Sequence, residues 1–386
     1  MKKILTLLSV IALSSTSAVS AVACTPAQMD VDLGSSIIGT NINKANAKDL
    51  SVNPDTHHGV SNFFTLGDSL SDNGGLVTIA QDELGVTPKI TGEYKNGFSN
   101  GLRTVELINN MIFDKEKESV DTFKASNLIH SADIDYKKDE SSTAEKVWGR
   151  NYSVGGATAA DAGGLFGQLL MKNTGIYKQA QALVQQQVIN EKDLFVVEIG
   201  GNDLFGLAAA QDDYNAQRTI MTSAIDNIRN ALFTLVNNGA KRILFLTPPD
   251  ILLTPGHKGD DKVKVGNLCK EFDAKIAEVV KEVNAKYADT LEVYNLYQKL
   301  QEILDGFKKG NPNANITDKF CISTAFDLAE LDLTNLEIKA TRAEGNEEKN
   351  IDDYFFIDDV HPTAAGHKYV SKIIWDLLVA KNWVTN

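Results

Sequence analysis

The stretch FFTLGDSLSD, residues 63–72, is where the reading of the fold begins. Phe63 to Leu66 is an apolar run of strand length, and Gly67 stops it just before Asp68 and Ser69, where the chain can turn. A serine at the mouth of a strand-to-helix turn has its own amide facing the same space, so it is placed to act as nucleophile and oxyanion donor together. Asp and Ser in such a place also cap helices. On this stretch alone the helix cap is the first reading, and the remainder of the chain has to decide.

Working outward, the same pattern recurs. Leu194 to Ile199 is a second apolar run, closed by Gly200-Gly201-Asn202-Asp203. A long helix follows, with Ile225, Ile228, Leu232, Leu235 and Val236 on one face, then a strand from Arg242 to Thr247 that Pro248-Pro249 ends. A helix over about Asp261 to Ala288, a short strand from Leu291 to Tyr294 and a last helix starting near Thr363 continue the rhythm. Nearer the opening stretch, Leu102, Val105, Leu107 and Ile108 predict a short amphipathic helix. Val147 to Ser153 reads as a strand end before the turn Gly155-Gly156, and Ile176, Ala180, Leu183 and Val184 form a helical face. Regular alternation of strand and helix predicts an α/β fold in three layers, a parallel sheet with helices on both faces. Residues 114–146 and 305–350 are charged and poor in pattern, as surface insertions are, and no internal repeat is visible.

Composition narrows the partners. At 386 residues, 43% apolar and 23% charged, the chain can bury a large core. A net charge of −13 and the lack of a Lys/Arg stripe argue against a nucleic-acid partner. Residues 1–23 read as a signal peptide: Lys2 and Lys3 make a positive start, Ile4 to Leu13 an apolar core, and Ala21-Val22-Ala23 a cleavage site. Cleavage would fall before Cys24. Small residues followed by cysteine resemble a bacterial lipoprotein leader, in which that cysteine is acylated, while Ala-Val-Ala also suits simple secretion. The expectation is an exported protein held to the membrane by lipid on Cys24, with ordinary secretion as the alternative. Residues 24–60, rich in Asn, Ser, Thr, Asp and Ala, read as a flexible tether, with His57 and His58 as solvated linker residues. Cys269 and Cys321 remain as a pair that an oxidising compartment could join.

In open α/β sheets the site lies beyond the carboxyl ends of the strands. Three loops sit there: Gly67 to Ser69, Gly155-Gly156, and Gly200 to Asn202. Each alone is an ordinary turn. The fourth element, Ile357-Asp358-Asp359-Val360-His361-Pro362, adds an imidazole three residues after a carboxylate, just before the last helix. An imidazole takes a serine proton only if its tautomer is held and its cation stabilised, which a carboxylate can do. Gly97-Phe98-Ser99-Asn100-Gly101 fits a nucleophile elbow by pattern, but Gly92 to Asn96 before it is polar where that motif needs a buried strand. Ser99 therefore reads as a loop serine. No HExxH, paired-Cys, GxxxxGK(S/T) or GxGxxG signature is present, so no metal and no cofactor is expected.

Taken together, the blocks GDSLSD at 67–72, NYSVGGAT at 151–158, GGND at 200–203 and DDVHP at 358–362 resemble the SGNH hydrolases, also called the GDSL esterase and lipase family. The four run in the family's order over most of residues 61–386. The resemblance implies a flavodoxin-like α/β/α fold, with Ser69 as nucleophile, His361 as general base and Asp358 as its orienting acid. It also implies an oxyanion hole from the amides of Ser69 and Gly156 and the side chain of Asn202. The Phe-Ser-Asn-Gly run at 98–101 is similar to a segment near the cleft in bacterial members. The family covers lipases, phospholipases, lysophospholipases, thioesterases and carbohydrate acetylesterases. Leu70, Phe98, Leu204 and Phe205 beside the blocks, with a membrane tether, favour a lipid-like acyl ester as substrate. A binding lipoprotein that keeps the fold without catalysis is the alternative of another class.

Overall fold

A computed structural model of the chain describes residues 31–95, 97–113, 123–126, 128, 134–136, 145–162, 171–324 and 337–385. The leader, Cys24 and most of residues 114–146 lie outside them. In chain order the elements are α1 (Val31–Ile37), β1 (Phe63–Gly67), α2 (Gly75–Leu84), β2 (Lys89–Gly92), α3 (Thr104–Ile112), β3 (Ile134–Tyr136), β4 (Glu145–Val147), α4 (Ile176–Gln186), β5 (Leu194–Glu198) and α5 (Gly201–Ala209). They continue with α6 (Tyr214–Asn237), β6 (Ile243–Leu246), α7 (Lys264–Lys286), β7 (Leu291–Tyr294), α8 (Leu296–Gly310), β8 (Asn315–Lys319), β9 (Cys321–Ser323), β10 (Glu337–Arg342), β11 (Tyr354–Phe356) and α9 (Ala364–Ala380). Three short 3-10 turns are left unlabelled.

The central sheet is parallel throughout, in the order β1-β5-β6-β7. Its strands are apolar at nearly every position because both faces are covered. Side chains alternate between two cores, as a period of two requires. Phe64, Phe195, Val197, Ile243 and Phe245 join the core under α4, α5, α6 and α7. Phe63, Leu194, Val196, Leu244 and Leu246 join the one under α3, α8 and α9. This is the three-layer α/β/α arrangement, and fully burying each such Leu or Phe contributes about 1.5–3 kcal/mol. Helix starts are capped locally: Asp213 accepts from the amides of Asn215 and Ala216 before α6, and Thr363 accepts from Gly366 before α9.

Residues 148–154 run beside β1 as an irregular edge, with Tyr152 N donating to Thr65 O at 2.8 Å and Val154 N to Gly67 O at 3.1 Å. That edge delivers the Gly155-Gly156 turn to the same end of the sheet as Ser69.

Three stretches differ from expectation. The tether is docked from Ser35 onward. Asn237 Nδ2 donates to the carbonyls of Ser35 and Ile38, Lys48 exchanges backbone bonds with Gln186 and Val188, and Trp148 Nε1 donates to Asn46 O. Polar composition misled there because these bonds are made mainly by the backbone. His57 and His58 are likewise engaged: His57 packs on Phe113, and His58 bonds the Thr385 carbonyl at 2.6 Å. The stretch 305–350 opens inside α8, whose Leu300, Ile303, Leu304 and Phe307 belong to the core. It continues into β8, β9 and β10, which with β2 and β11 build two small sheets beneath the histidine loop. Finally, α2 lies between the serine turn and β2, where the pattern predicts no helix. Among the described residues no helix is long and apolar enough to cross a membrane.

Candidate active site

The turn after β1 sets the geometry. Gly67 must be glycine, since a Cβ there would lie 2.3 Å from the Glu198 carbonyl oxygen of the neighbouring strand. Asp68 Oδ1 then accepts from Leu70 N at 3.1 Å and its carbonyl accepts from Ser71 and Asp72. Asp68 thus holds a single turn rather than capping a helix, since α2 starts only at Gly75 with Gly74 before it. Ser69, partly exposed, is left at the tip.

His361 Nε2 lies 2.7 Å from Ser69 Oγ, and His361 Nδ1 lies 2.7 Å from Asp358 Oδ2. Asp358 is completely buried and His361 nearly so. The Asp358 pKa is lowered from its usual value: burial pushes it up, but the His361 charge and the hydrogen bonds from His361 and Tyr94 outweigh that. An ionised carboxylate only accepts, so Nδ1 carries the proton and Nε2 is left to accept from the serine. The loop is stiffened by its own amides, Val360 N and His361 N both donating to Asp358 Oδ1 at 2.9 and 2.8 Å. Asp359 points elsewhere, paired with Lys319 at 2.7 Å.

The segment after β2 clamps this loop. Phe98 stacks on the His361 ring with centroids 5.1 Å apart. Ser99 Oγ donates to Pro362 O at 3.0 Å, and Asn100 Oδ1 accepts from Ala364 N at 2.7 Å. Ser99 lies in a loop, as its polar context suggested, and is fully buried there.

The donor side is built from carboxylates that were not singled out in the sequence. Asp72 accepts from Gly74 N, Gly75 N, Leu76 N and, at 2.6 Å, Gly155 N. Asp203 accepts from Ala159 N and Ala160 N, both at 2.8 Å. Asn202 Nδ2 donates to Ala157 O at 2.8 Å with one of its two hydrogens. Asn151 ties the two loops, with Nδ2 donating to Ser71 O at 2.7 Å. Gly155 has its amide engaged, whereas the amides of Ser69 and Gly156 meet no acceptor among the described residues. Gly156 sits at φ +81°, a left-handed conformation that favours glycine. Gly156, rather than Gly155, is therefore the neighbour with an amide to offer.

Beneath the nucleophile the field is acidic. Burial raises Asp68 to about 6, opposed by the Leu70 amide and by His361, and burial raises Asp203 to about 6 against its two amide donors. Glu198 is pushed well above the carboxylate range by burial and by the charge of Asp68. Neither Glu198 oxygen meets a donor among the described residues, and the protonated side chain instead donates to Asp68, as suits a neutral acid rather than a buried anion. On the far side, His367 is driven down to about 3 by burial, Arg103 and His361.

Two other sequence expectations are corrected. Cys269 and Cys321 are both free and buried. Cys269 lies in the core beneath α7 and Cys321 in a third cluster with Tyr94, Phe98 and Ile357, so the fold separates the two thiols. Of the four apolar residues beside the blocks, Leu204 is buried in the core and Phe98 behind the histidine. Leu70 and Phe205 remain partly exposed.

The model of one protein family, GDSL-like Lipase/Acylhydrolase, matches residues 63–374, from the first core strand into the last helix. No curated protein matches the chain at a significant level. A match over most of the sequence, on a parallel α/β/α fold with the serine turn and the histidine loop at one sheet edge, means that the chain belongs to the GDSL-like lipase/acylhydrolase family and is an acyl hydrolase of the esterase and lipase type.

Proposed function

We propose that this protein is an exported serine carboxylic-ester hydrolase, anchored by lipid on Cys24, that cleaves a lipid-like acyl ester through an acyl-enzyme on Ser69. The observation that carries the reading is the unbroken hydrogen-bond series from Ser69 Oγ through both nitrogens of His361 to the buried Asp358. In the acylation step Ser69 Oγ attacks the ester carbonyl carbon and its proton passes to His361 Nε2. The carbonyl oxygen becomes an oxyanion, for which Ser69 N, Gly156 N and the second Nδ2 hydrogen of Asn202 are the donors. Collapse breaks the bond to the alcohol, which leaves with the proton from His361. A water then gives its proton to His361 and attacks the acyl carbon. Release of the acid returns that proton to Ser69.

The preference for a lipid-like acyl group rests on Leu70 and Phe205, one beside the nucleophile and one a helical turn beyond Asn202. Phospholipids and lysophospholipids are within this class. Acetylated sugars and thioesters are the alternatives that the family's range supports.

The test is a comparison of the full-length protein with Ser69→Ala on p-nitrophenyl esters of two to twelve carbons. Hydrolysis at least about 10³-fold faster in the wild type is expected, with preference for the longer chains. Equal rates would leave a ligand-binding protein. Mass spectrometry of the mature N-terminus tests the anchor, and an unmodified Cys24 would refute it.

A further inference from the structure

Tyr94 stands outside the four sequence blocks, yet its hydroxyl is committed to the acid of the triad. It is buried, two residues past the end of β2, and donates to Asp358 Oδ2, the same oxygen that holds His361 Nδ1. Ser323 Oγ lies 2.7 Å from the phenol oxygen. A phenol has one proton, and an ionised carboxylate can only accept, so Tyr94 gives its proton to Asp358 and Ser323 donates into Tyr94. Burial and the charge of Asp358 raise the Tyr94 pKa well above its usual value, so it stays a donor. The ring is held edge-on by Phe98, which itself covers the His361 imidazole.

The relay also explains what the small sheet β2-β10-β9 does at this edge. Tyr94 follows β2 and Ser323 ends β9. The sheet grips the histidine loop through Cys321 N, which donates to Ile357 O at 2.6 Å.

We propose that Tyr94 is a positioning residue for the hydrolytic reaction: its hydroxyl, oriented by Ser323, fixes Asp358 Oδ2 and takes up part of its charge, so setting how strongly Asp358 holds the His361 proton. The proposal rests on the hydrolase reading above. A donor on the carboxylate weakens the pull of Asp358 on Nδ1–H and on the imidazolium, and removing that donor strengthens both. The other titratable and charged groups around this pair are Asp68 and, next to it, Asp203 from the opposite loops, His367 and Arg103 from α9 and before α3, and Cys321 with the Glu93–Arg342 ion pair from the small sheet. All of them remain in a Tyr94→Phe protein.

The experiment takes full-length wild type, Tyr94→Phe and Ser323→Ala through kcat and KM on p-nitrophenyl butyrate from pH 5 to 9. Rates are referred to sites counted with a fluorophosphonate. In parallel, the downfield Nδ1–H resonance of His361 is followed by proton NMR, which needs no turnover. Tyr94→Phe is expected to lower kcat about fivefold with KM within about twofold, to move the acid limb of kcat/KM up by about half a pH unit, and to shift the Nδ1–H resonance. Ser323→Ala should move the same three readouts in the same direction by less. An unshifted acid limb, with or without loss of kcat, overturns the proposal, as does an Nδ1–H resonance that neither substitution moves. If Tyr94→Phe does not fold, Ser323→Ala alone decides. Should the wild type neither turn over ester nor take the label, the hydrolase reading fails, and the NMR comparison still judges the Tyr94 bond.

Discussion

Replacing Asp358 by Asn preserves the side-chain volume and removes a charge and an acceptor at a site with no solvent to compensate. Asp358 accepts four hydrogen bonds, from Val360 N and His361 N on Oδ1 and from His361 Nδ1 and Tyr94 on Oδ2. The carbonyl oxygen of the substituted amide can keep the two backbone donors. Its NH2 group then confronts two donors. Tyr94 can rotate its proton away, but the imidazole must move its proton to Nε2, where it faces Ser69 Oγ and cannot receive the serine proton. The expected loss in kcat is about 10³–10⁴-fold, or about 4–5.5 kcal/mol of barrier, with KM little changed. The rearranged hydrogen bonds cost about 1–3 kcal/mol of stability. Esterase rates and thermal unfolding are measured on the same preparation, and the residual rate should climb with pH as hydroxide replaces the base. Asp359→Asn is the control, because that carboxylate pairs with Lys319, and it should stay within about threefold of wild type. An Asp358→Asn protein that is folded and retains more than a tenth of the activity would refute the assignment, and an equal loss in both variants would show that the loop, not the carboxylate, matters.

Two further outcomes follow from the geometry. Asn202→Ala removes a donor from the oxyanion side and should reduce kcat by about 100-fold or more while leaving KM near wild type; a loss confined to KM would move Asn202 from the transition state to substrate binding. His367 is buried neutral, accepting Thr104 N at Nδ1, with a folded pKa of about 3 against an ordinary value of 6.5. The unfolded chain therefore binds a proton between those values that the folded one does not, so this contribution is full above about pH 6.5 and lost as pH falls toward 3. The melting temperature of wild type relative to His367→Asn should accordingly decline from pH 7.5 to pH 5, and a rising difference would contradict the burial argument.

Some of this was legible in the chain because the underlying physics is local. β1, β5 and β6 read as strands since a strand buried on both faces is apolar at nearly every position, and glycine or proline closes the runs, whereas the half-buried end strand β7 read from the rhythm of its neighbours. The long helices α6, α7 and α9 carry their period in the sequence. α8 carries it too, at Leu296, Leu300, Ile303, Leu304 and Phe307, but it runs into the charged stretch that read as an insertion and was absorbed into it. α2 has only weak apolar contrast between its faces, and it starts at Gly74-Gly75, residues that favour a turn.

Docking of residues 34–60 was hidden for another reason. The segment is held through its own main chain, by the carbonyls of Ser35, Ile38 and Asn46 and the backbone of Lys48, and a backbone bond leaves no trace in composition. The two cysteines show the converse case, in which residue type suggests a pair and the fold puts each thiol in a separate core.

By itself the sequence determined the α/β alternation, the sheet edge at which chemistry collects, and the candidate set of Ser69, the Gly155-Gly156 turn, Asn202, Asp358 and His361, each carried by a block whose residues are near neighbours. Only the tertiary structure decided what each of the two adjacent aspartates touches and which amide of Gly155-Gly156 is left to offer. It alone also brought Tyr94 to Asp358 across 264 residues of chain. The reason is physical: periodicity and turn chemistry are written within a few residues, whereas a hydrogen bond between distant side chains exists only once the sheets that carry them have closed on each other.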